Sequence, residues 1–246
     1  MDLVIVGHSF IRRLRDNYFT PRPAHRHPRG QDISFCHTDK AQQYSRKLGL
    51  QHHINYVYTS SNSINLISDL HRSLSLIHHI KPDILLLDIG SNDIANVSKV
   101  DPNLMLELAH ELFQFATSTQ VPLVIINAVL PRTSKISSTP DDFRKNASHF
   151  NKSIQVYASD TQNVKYNKMR GFSFYYDEHK NERQKPVHHW STDGIHCDSN
   201  SIHRYRNRIR HAVLDNIHFI KQSRQSAYII NSSPLTFLYI YSTISY

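Results

Sequence analysis

The apolar run from Ile84 to Leu87 constrains the fold of this chain more than any other feature. Four consecutive branched aliphatic residues follow a proline, a pattern typical of a central strand that is covered on both faces of a parallel sheet. Buried strands are also predicted at Val4 to Val6 and at Val121 to Asn127. Weaker strand patterns lie at residues 33–36, 54–58 and 164–166.

Helical patterns separate these strands. Apolar residues recur at helical spacing from Ile64 to Ile77, from Leu104 to Ala116 and from Ile202 to Ile217. Asp101-Pro102 and Thr139-Pro140 each place a capping side chain before a proline, which predicts two helix starts. Strands that alternate with helices indicate an α/β fold, with a parallel sheet flanked by helices on both faces.

Length and composition favour one globular domain. The 246 residues suffice for a single α/β domain with a substantial core, which we expect at residues 1–222. The tail at 223–246 carries no charged side chain beyond Gln225, and we expect it to be peripheral. Its apolar run at 235–241 is shorter than the ~20 residues of a membrane-spanning helix. The absence of a secretory pattern after Met1 and the presence of only two cysteines predict an intracellular, cytoplasmic protein.

The net charge of +9 raises the question of nucleic-acid binding. Four arginines between Arg204 and Arg210 step by two residues, and because two residues turn a helix by about 200°, they spread over two sides of it. This favours a solvated helix surface over a nucleic-acid-reading element. The histidine pairs lack neighbouring ligands at metal-binding spacing, so we expect no bound metal. We also expect no cofactor and a monomeric protein.

Polar clusters follow the predicted strands, and in parallel sheets such strand ends form ligand sites. Three of these clusters are Gly7-His8-Ser9, residues 59–63 and the stretch from Gly90 to Asp93. A fourth cluster, Asp193 to His196, precedes the last helix. The chain has only 6 glycines, yet each of three clusters contains one, which indicates turns or close backbone approaches there.

Together, these clusters hold the groups that acyl transfer requires. Ser9 would be the nucleophile, His196 the base that takes its proton, and Asp193 the carboxylate that orients the imidazole. The side-chain amide of Asn92 and the backbone N–H of Ser9 would stabilise the oxyanion.

Two other motifs do not fit the first cluster. A nucleophile elbow of the Gly-x-Ser-x-Gly type requires glycine where Ile11 stands. A phosphate-binding loop requires Gly-Lys-Ser or Gly-Lys-Thr, and no such tripeptide follows Gly7.

The clusters, in this order, resemble the motifs of the SGNH hydrolases, the superfamily of GDSL-like esterases and lipases. The matching segments are Gly7 to Ser9, Gly90 to Asp93, and Asp193 to His196, in which Gly194 lies between the two catalytic positions. The resemblance implies a flavodoxin-like, three-layer α/β/α sandwich with about five strands. It also implies metal-free hydrolysis of an ester or thioester through an acyl-serine intermediate.

Two positions depart from the family pattern. His8 stands where the family usually has an aspartate that supports the loop. The family's second motif supplies a glycine N–H to the oxyanion hole, and Ser61 is the best match to that position. Because a Cβ restricts the backbone angles open to glycine, Ser61 is expected to be a weaker donor position.

Two functions from different classes remain open from the sequence. The first is a serine esterase acting on a small ester, such as an acetylated sugar, a lipid ester or a thioester. The second is a weakly active or inactive SGNH-like binding module, associated with a mobile element and contacting nucleic acid through its basic surface.

Overall fold

A computed structural model describes residues 2–7, 11, 33–35, 55–59, 66–132, 139–169, 172, 175–176, 182–183 and 193–232. Six strands form one sheet in the order β2-β3-β1-β4-β5-β6. They are β1 (Asp2–Gly7), β2 (Ile33–Phe35), β3 (Asn55–Thr59), β4 (Ile84–Asp88), β5 (Leu123–Asn127) and β6 (Val164–Asn167). A separate antiparallel pair comprises β7 (Tyr175–Tyr176) and β8 (Glu182–Arg183).

Five of the six strands run parallel. β1 pairs with β3 on one side and β4 on the other, and β5 and β6 continue the sheet beyond β4. Only the edge strand β2 is antiparallel, to β3. The predicted α/β fold with a mainly parallel sheet is therefore confirmed. The sheet contains one strand more than the five expected, because the weak pattern at 33–36 forms the antiparallel edge strand.

The helices follow the predicted alternation. A 3₁₀ helix (Ile67–Ser73) is followed by α1 (Leu74–Ile80), α2 (Ser91–Ala95), α3 (Pro102–Ser118), α4 (Pro140–Ser159) and α5 (Ser199–Ser232). Both predicted caps form, since Asp101 accepts the Leu104 N–H at 3.0 Å and the Thr139 hydroxyl accepts the Asp142 N–H at 3.1 Å. Helix α5 continues through the expected domain boundary at residue 222, and the tail beyond Ser232 lies outside the described residues.

Two apolar clusters cover the two faces of the sheet. Alternate residues of the central strands, such as Val4 and Leu85, pack on one face against α3 and α4. The residues between them, such as Ile5 and Leu86, pack on the other face against α5. Ile11 is helical and fully buried in this second cluster. These layers form the expected three-layer sandwich.

The outer surface of α5 carries the arginines that raised the question of nucleic acid. Arg204 is exposed, whereas Arg206, Arg208 and Arg210 are half-buried. These four arginines therefore form no single exposed basic stripe on α5. No helix within the described part of the chain is both long and apolar enough to cross a membrane.

Candidate active site

The carboxyl ends of β1 and β4 lie side by side. Gly7, the last residue of β1, is aligned with Asp88, the last residue of β4, and the segment from Gly90 to Asn92 begins two residues after Asp88. Three predicted site residues, His8, Ser9 and Ser61, lie outside the described residues. Their roles stay predictions.

Asp193 and His196 form a hydrogen-bonded pair. One carboxylate oxygen of Asp193 accepts the backbone N–H groups of Ile195 and His196, each at 2.9 Å. The other lies 2.7 Å from Nδ1 of the His196 ring. A carboxylate can only accept, so Nδ1 carries the proton of this bond and Nε2 is the acceptor nitrogen of the neutral ring. That tautomer suits a general base that acts through Nε2.

Gly90 turns the chain from β4 into α2. Its φ of 101° lies in the left-handed region, which side chains with a Cβ rarely adopt. A Cβ here would also come within 3.0 Å of the Phe150 ring. The turn leads directly into α2, whose first two residues are Ser91 and Asn92.

Asp93 links α2 to the helix that follows β3. Its carboxylate accepts the backbone N–H of Ile67 at 3.1 and 3.3 Å. Burial, together with the smaller effect of the charges of Glu111 and Asp69, raises the pKa of Asp93 to about 6, although the hydrogen bond from Ile67 opposes this shift. Asp93 therefore acts in the described structure as a structural connection between the segments that follow β3 and β4, the two strands on either side of β1.

Arg132 is a site residue that the sequence analysis missed. Its Nε and Nη2 donate to the Ser91 hydroxyl oxygen at 2.9 and 2.5 Å, and Nη2 also donates to Oδ1 of Asn92 at 2.9 Å. Its charge also interacts with that of Asp193. Arg132 therefore connects two predicted clusters that are about 100 residues apart in the chain.

Helix α4 fixes the loop that carries Arg132. The Asn151 amide accepts the Val129 N–H at 2.9 Å and donates to the Val129 carbonyl at 3.0 Å. The Phe143 ring lies under the guanidinium, with 5.2 Å between its centroid and the guanidinium carbon. Burial lowers the pKa of Arg132 to about 10 and the charge of Asp193 opposes this, so the guanidinium stays protonated at neutral pH.

A row of polar side chains crosses the ends of β4, β5 and β6. The Asn167 amide donates to the Asn127 side-chain oxygen at 2.8 Å, and the Asn127 amide donates to the Asp88 carboxylate at 3.2 Å. Burial raises the pKa of Asp88 to about 7, and the bond from Asn127 only partly opposes the shift. A carboxyl group that titrates near neutral pH thus lies beside Gly7.

Asp88 should make folding stability depend on pH. Because its pKa is about 7 in the folded chain and 3.8 ordinarily, stability should fall as pH rises from about 4 to about 7, by up to about 4 kcal/mol. Asp88→Asn keeps an acceptor for Asn127 but removes the titration. Urea unfolding at several pH values should show a flatter stability profile for this variant.

Asp141→Asn is the matched control for this measurement. Asp141 is fully exposed, and its pKa is lowered by hydrogen bonding to Lys145 and by the charge of Arg144. Its contribution to stability therefore disappears only as pH falls below about 4, and the profile from pH 5 to 8 should keep the wild-type slope. An unchanged slope in Asp88→Asn would contradict the prediction.

Comparison with known proteins finds similarity at the level of structure. No protein-family model matches the chain, and no curated protein sequence does. Among solved structures, a GDSL-like lipase from Bacteroides thetaiotaomicron matches with a TM-score of 0.55 and 12% identity, over 87% of this chain and 88% of the lipase. A catalytic mutant of an acetylxylan esterase from Geobacillus stearothermophilus matches with a TM-score of 0.55 and 14% identity, over 85% of this chain and 91% of the esterase.

This chain has the SGNH hydrolase fold. In the Geobacillus esterase, three catalytic mutants replace a serine, an aspartate and a histidine, and the last two lie three positions apart. In the present SGNH fold, Asp193 and His196 have the same spacing and share a hydrogen bond.

Asp88 and Arg132, which the sequence analysis of this SGNH fold missed, share one feature that is visible in the sequence. Asp88 ends β4, and Arg132 follows the end of β5 by five residues. Both therefore lie at the sheet edge where parallel folds form their sites. Their position at or after the carboxyl ends of two strands, rather than membership of a motif, is the sequence property that could have indicated them.

Proposed function

We propose that this chain is a serine hydrolase that cleaves a carboxylic ester or thioester through an acyl-Ser9 intermediate. The observation that carries the proposal is the bond between Asp193 and Nδ1 of His196, in a fold whose solved examples include esterases. The presence of Asn92 beside the buried Arg132 supports it further.

The first half of the reaction forms the acyl-enzyme. Ser9 Oγ attacks the carbonyl carbon of the ester while its proton passes to Nε2 of His196. Asp193 holds the ring in the required tautomer and stabilises the imidazolium that forms. The imidazolium then returns the proton to the leaving alcohol or thiol, and the bond from the carbonyl carbon to the leaving group breaks.

The second half releases the acid. A water molecule gives its proton to Nε2 of His196 and attacks the acyl carbon, and the bond to Ser9 Oγ breaks as Oγ regains a proton. Negative charge develops on the carbonyl oxygen in both halves. The Asn92 amide N–H and the backbone N–H groups of Ser9 and Ser61 are the proposed donors to that oxygen.

A fluorophosphonate probe together with p-nitrophenyl acetate tests the proposal. The wild-type protein should be labelled and should hydrolyse the ester, and Ser9→Ala should abolish both because it removes the nucleophile. Ser153→Ala is the matched control, because Ser153 lies on α4 and its hydroxyl donates only to the carbonyl of His149. This control should react like the wild type.

Two results would contradict the proposal. Equal labelling of Ser9→Ala would identify another nucleophile. A folded wild-type protein with neither labelling nor turnover would not be a serine hydrolase. If that inactive protein bound RNA or DNA with an affinity that falls steeply with added salt, the result would favour the binding module.

A further inference from the structure

We propose that Arg132 is a positioning residue that holds the Asn92 amide in the orientation needed to stabilise the oxyanion. The inference rests on the proposed function, since it assigns a role within the same site. The motif resemblance does not include Arg132, and its place here follows from its contacts alone.

The first step concerns the chemistry of the contact. Side-chain amides have two ends that differ only in which atom accepts and which donates. A guanidinium has no acceptor, so the Asn92 atom that receives the 2.9 Å bond from Nη2 must be the oxygen. The NH₂ group of Asn92 is therefore directed away from Arg132, and the amide cannot reverse without placing two donors against each other.

The second step concerns the rigidity of the guanidinium. Arg132 is only 4% exposed, and two of its nitrogens donate to one oxygen of Ser91. The guanidinium carbon lies over the Phe143 ring, and Asn151 holds the preceding backbone at Val129. Because the Arg132 guanidinium is itself held in place, it can hold the Asn92 amide in one orientation. A fixed orientation of this kind is the preorganisation that an oxyanion donor requires.

The third step concerns the residue type. The planar fork of arginine reaches Ser91 and Asn92 at once, with fixed angles between its donors. A lysine ammonium is a single flexible point charge and lacks this fork. Because Arg132 acts through Asn92, its loss should lower the rate of the chemical step and should leave substrate binding nearly intact.

Steady-state kinetics on four proteins test the inference, with the wild type compared with Arg132→Met, Asn92→Ala and the double variant. Asn92→Ala should lower kcat by about 10²–10³-fold, as loss of one oxyanion donor does elsewhere. Arg132→Met should lower kcat by at least about 10-fold, with KM within about threefold of the wild-type value. The double variant should be no slower than Asn92→Ala, since Arg132 then has no amide to position.

Two further variants separate positioning from general damage. Arg132→Ala leaves space for a small cation, so added guanidinium should restore part of the lost kcat, whereas sodium chloride at the same ionic strength should not. Arg72→Met is the matched control, because the Arg72 side chain is 61% exposed and forms an ion pair with Asp69 on its own helix. This control should keep the wild-type kcat.

The inference is overturned if Arg132→Met keeps the wild-type kcat, or if its effect is undiminished in the Asn92→Ala background. A second cycle with the same four proteins follows the urea midpoint of unfolding and requires no activity. The loss in the double variant should be smaller than the two single losses combined. If the wild type hydrolyses no ester, the proposed function fails, and additive midpoints would independently show that Arg132 does not hold Asn92.

Discussion

Asp193→Asn should lower kcat by about 10⁴-fold while the protein remains folded. The magnitude follows serine hydrolases in which the same change leaves the geometry intact but imposes the wrong histidine tautomer. Here one oxygen of Asp193 accepts the N–H groups of Ile195 and His196. In the variant, the amide oxygen must take that place, because an NH₂ group cannot accept these bonds.

The NH₂ group of the new asparagine then faces Nδ1 of His196, where the second carboxylate oxygen lies in the wild type at 2.7 Å. Nδ1 becomes the acceptor, the ring proton moves to Nε2, and His196 can no longer take a proton from Ser9. The loss should therefore appear in kcat, with little change in the unfolding midpoint.

Asp198→Asn is the matched control for this prediction. Asp198 also accepts a backbone N–H, that of Ser201 at 2.6 Å at the start of α5, and an asparagine can keep that bond. Its activity should equal that of the wild type. If Asp193→Asn retained more than about a tenth of the activity, Asp193 would not be the orienting group of the base.

The order of the layers was predictable because local patterns carry it. The buried run from Ile84 to Leu87 forms all but the last residue of the parallel strand β4. The capping residues Asp101 and Thr139 precede helices, because their side chains accept backbone N–H groups of the first turn. The extent of the last helix was harder to predict. Charge disappears beyond Gln225, yet α5 continues to Ser232, because an established helix can be extended by uncharged residues, each of which adds one backbone hydrogen bond.

In the candidate site, too, the contacts between residues that are close in sequence were predictable, whereas the contacts between distant residues were not. Asp193 and His196 are three residues apart, so one turn brings them together and the sequence indicates the pair. Arg132 reaches Ser91 across 41 positions, and Asp88 meets Asn127 across 39. Contacts of that range depend on strand order, which the local sequence does not encode.

The raised pKa of Asp88 shows the same dependence on three-dimensional context. An aspartate at the end of an apolar run has an ordinary pKa in the unfolded chain, and only the packing around β4 removes the water that would stabilise its charge. Both Asp88 and Arg132 are costly groups to bury. Their presence at one edge of the sheet therefore agrees with a site that requires fixed charge and hydrogen-bonding groups.

Gly7→Ala should destabilise the fold and impair the site together. A Cβ on residue 7 would lie 2.6 Å from the Asp88 carbonyl oxygen and 2.6 Å from Cγ1 of Ile11. The carbonyl belongs to the backbone of the central strand β4, which cannot move without disturbing the sheet, so β1 must shift instead. We expect a loss of stability of about 1–3 kcal/mol in urea unfolding. Displacement of the strand end by about 1 Å should lower kcat about 10²-fold.

The two close contacts can be separated by a second substitution. Ile11→Ala removes Cγ1 but leaves the carbonyl of Asp88 in place, so Gly7→Ala in that background should regain only part of its stability loss, measured relative to Ile11→Ala alone. Recovery of the full loss would show that the side-chain contact sets the requirement for glycine. Partial recovery, with kcat still low, would place the requirement in the backbone approach of β1 to β4. That approach brings Gly7, two residues before Ser9, against the strand that leads to Asn92.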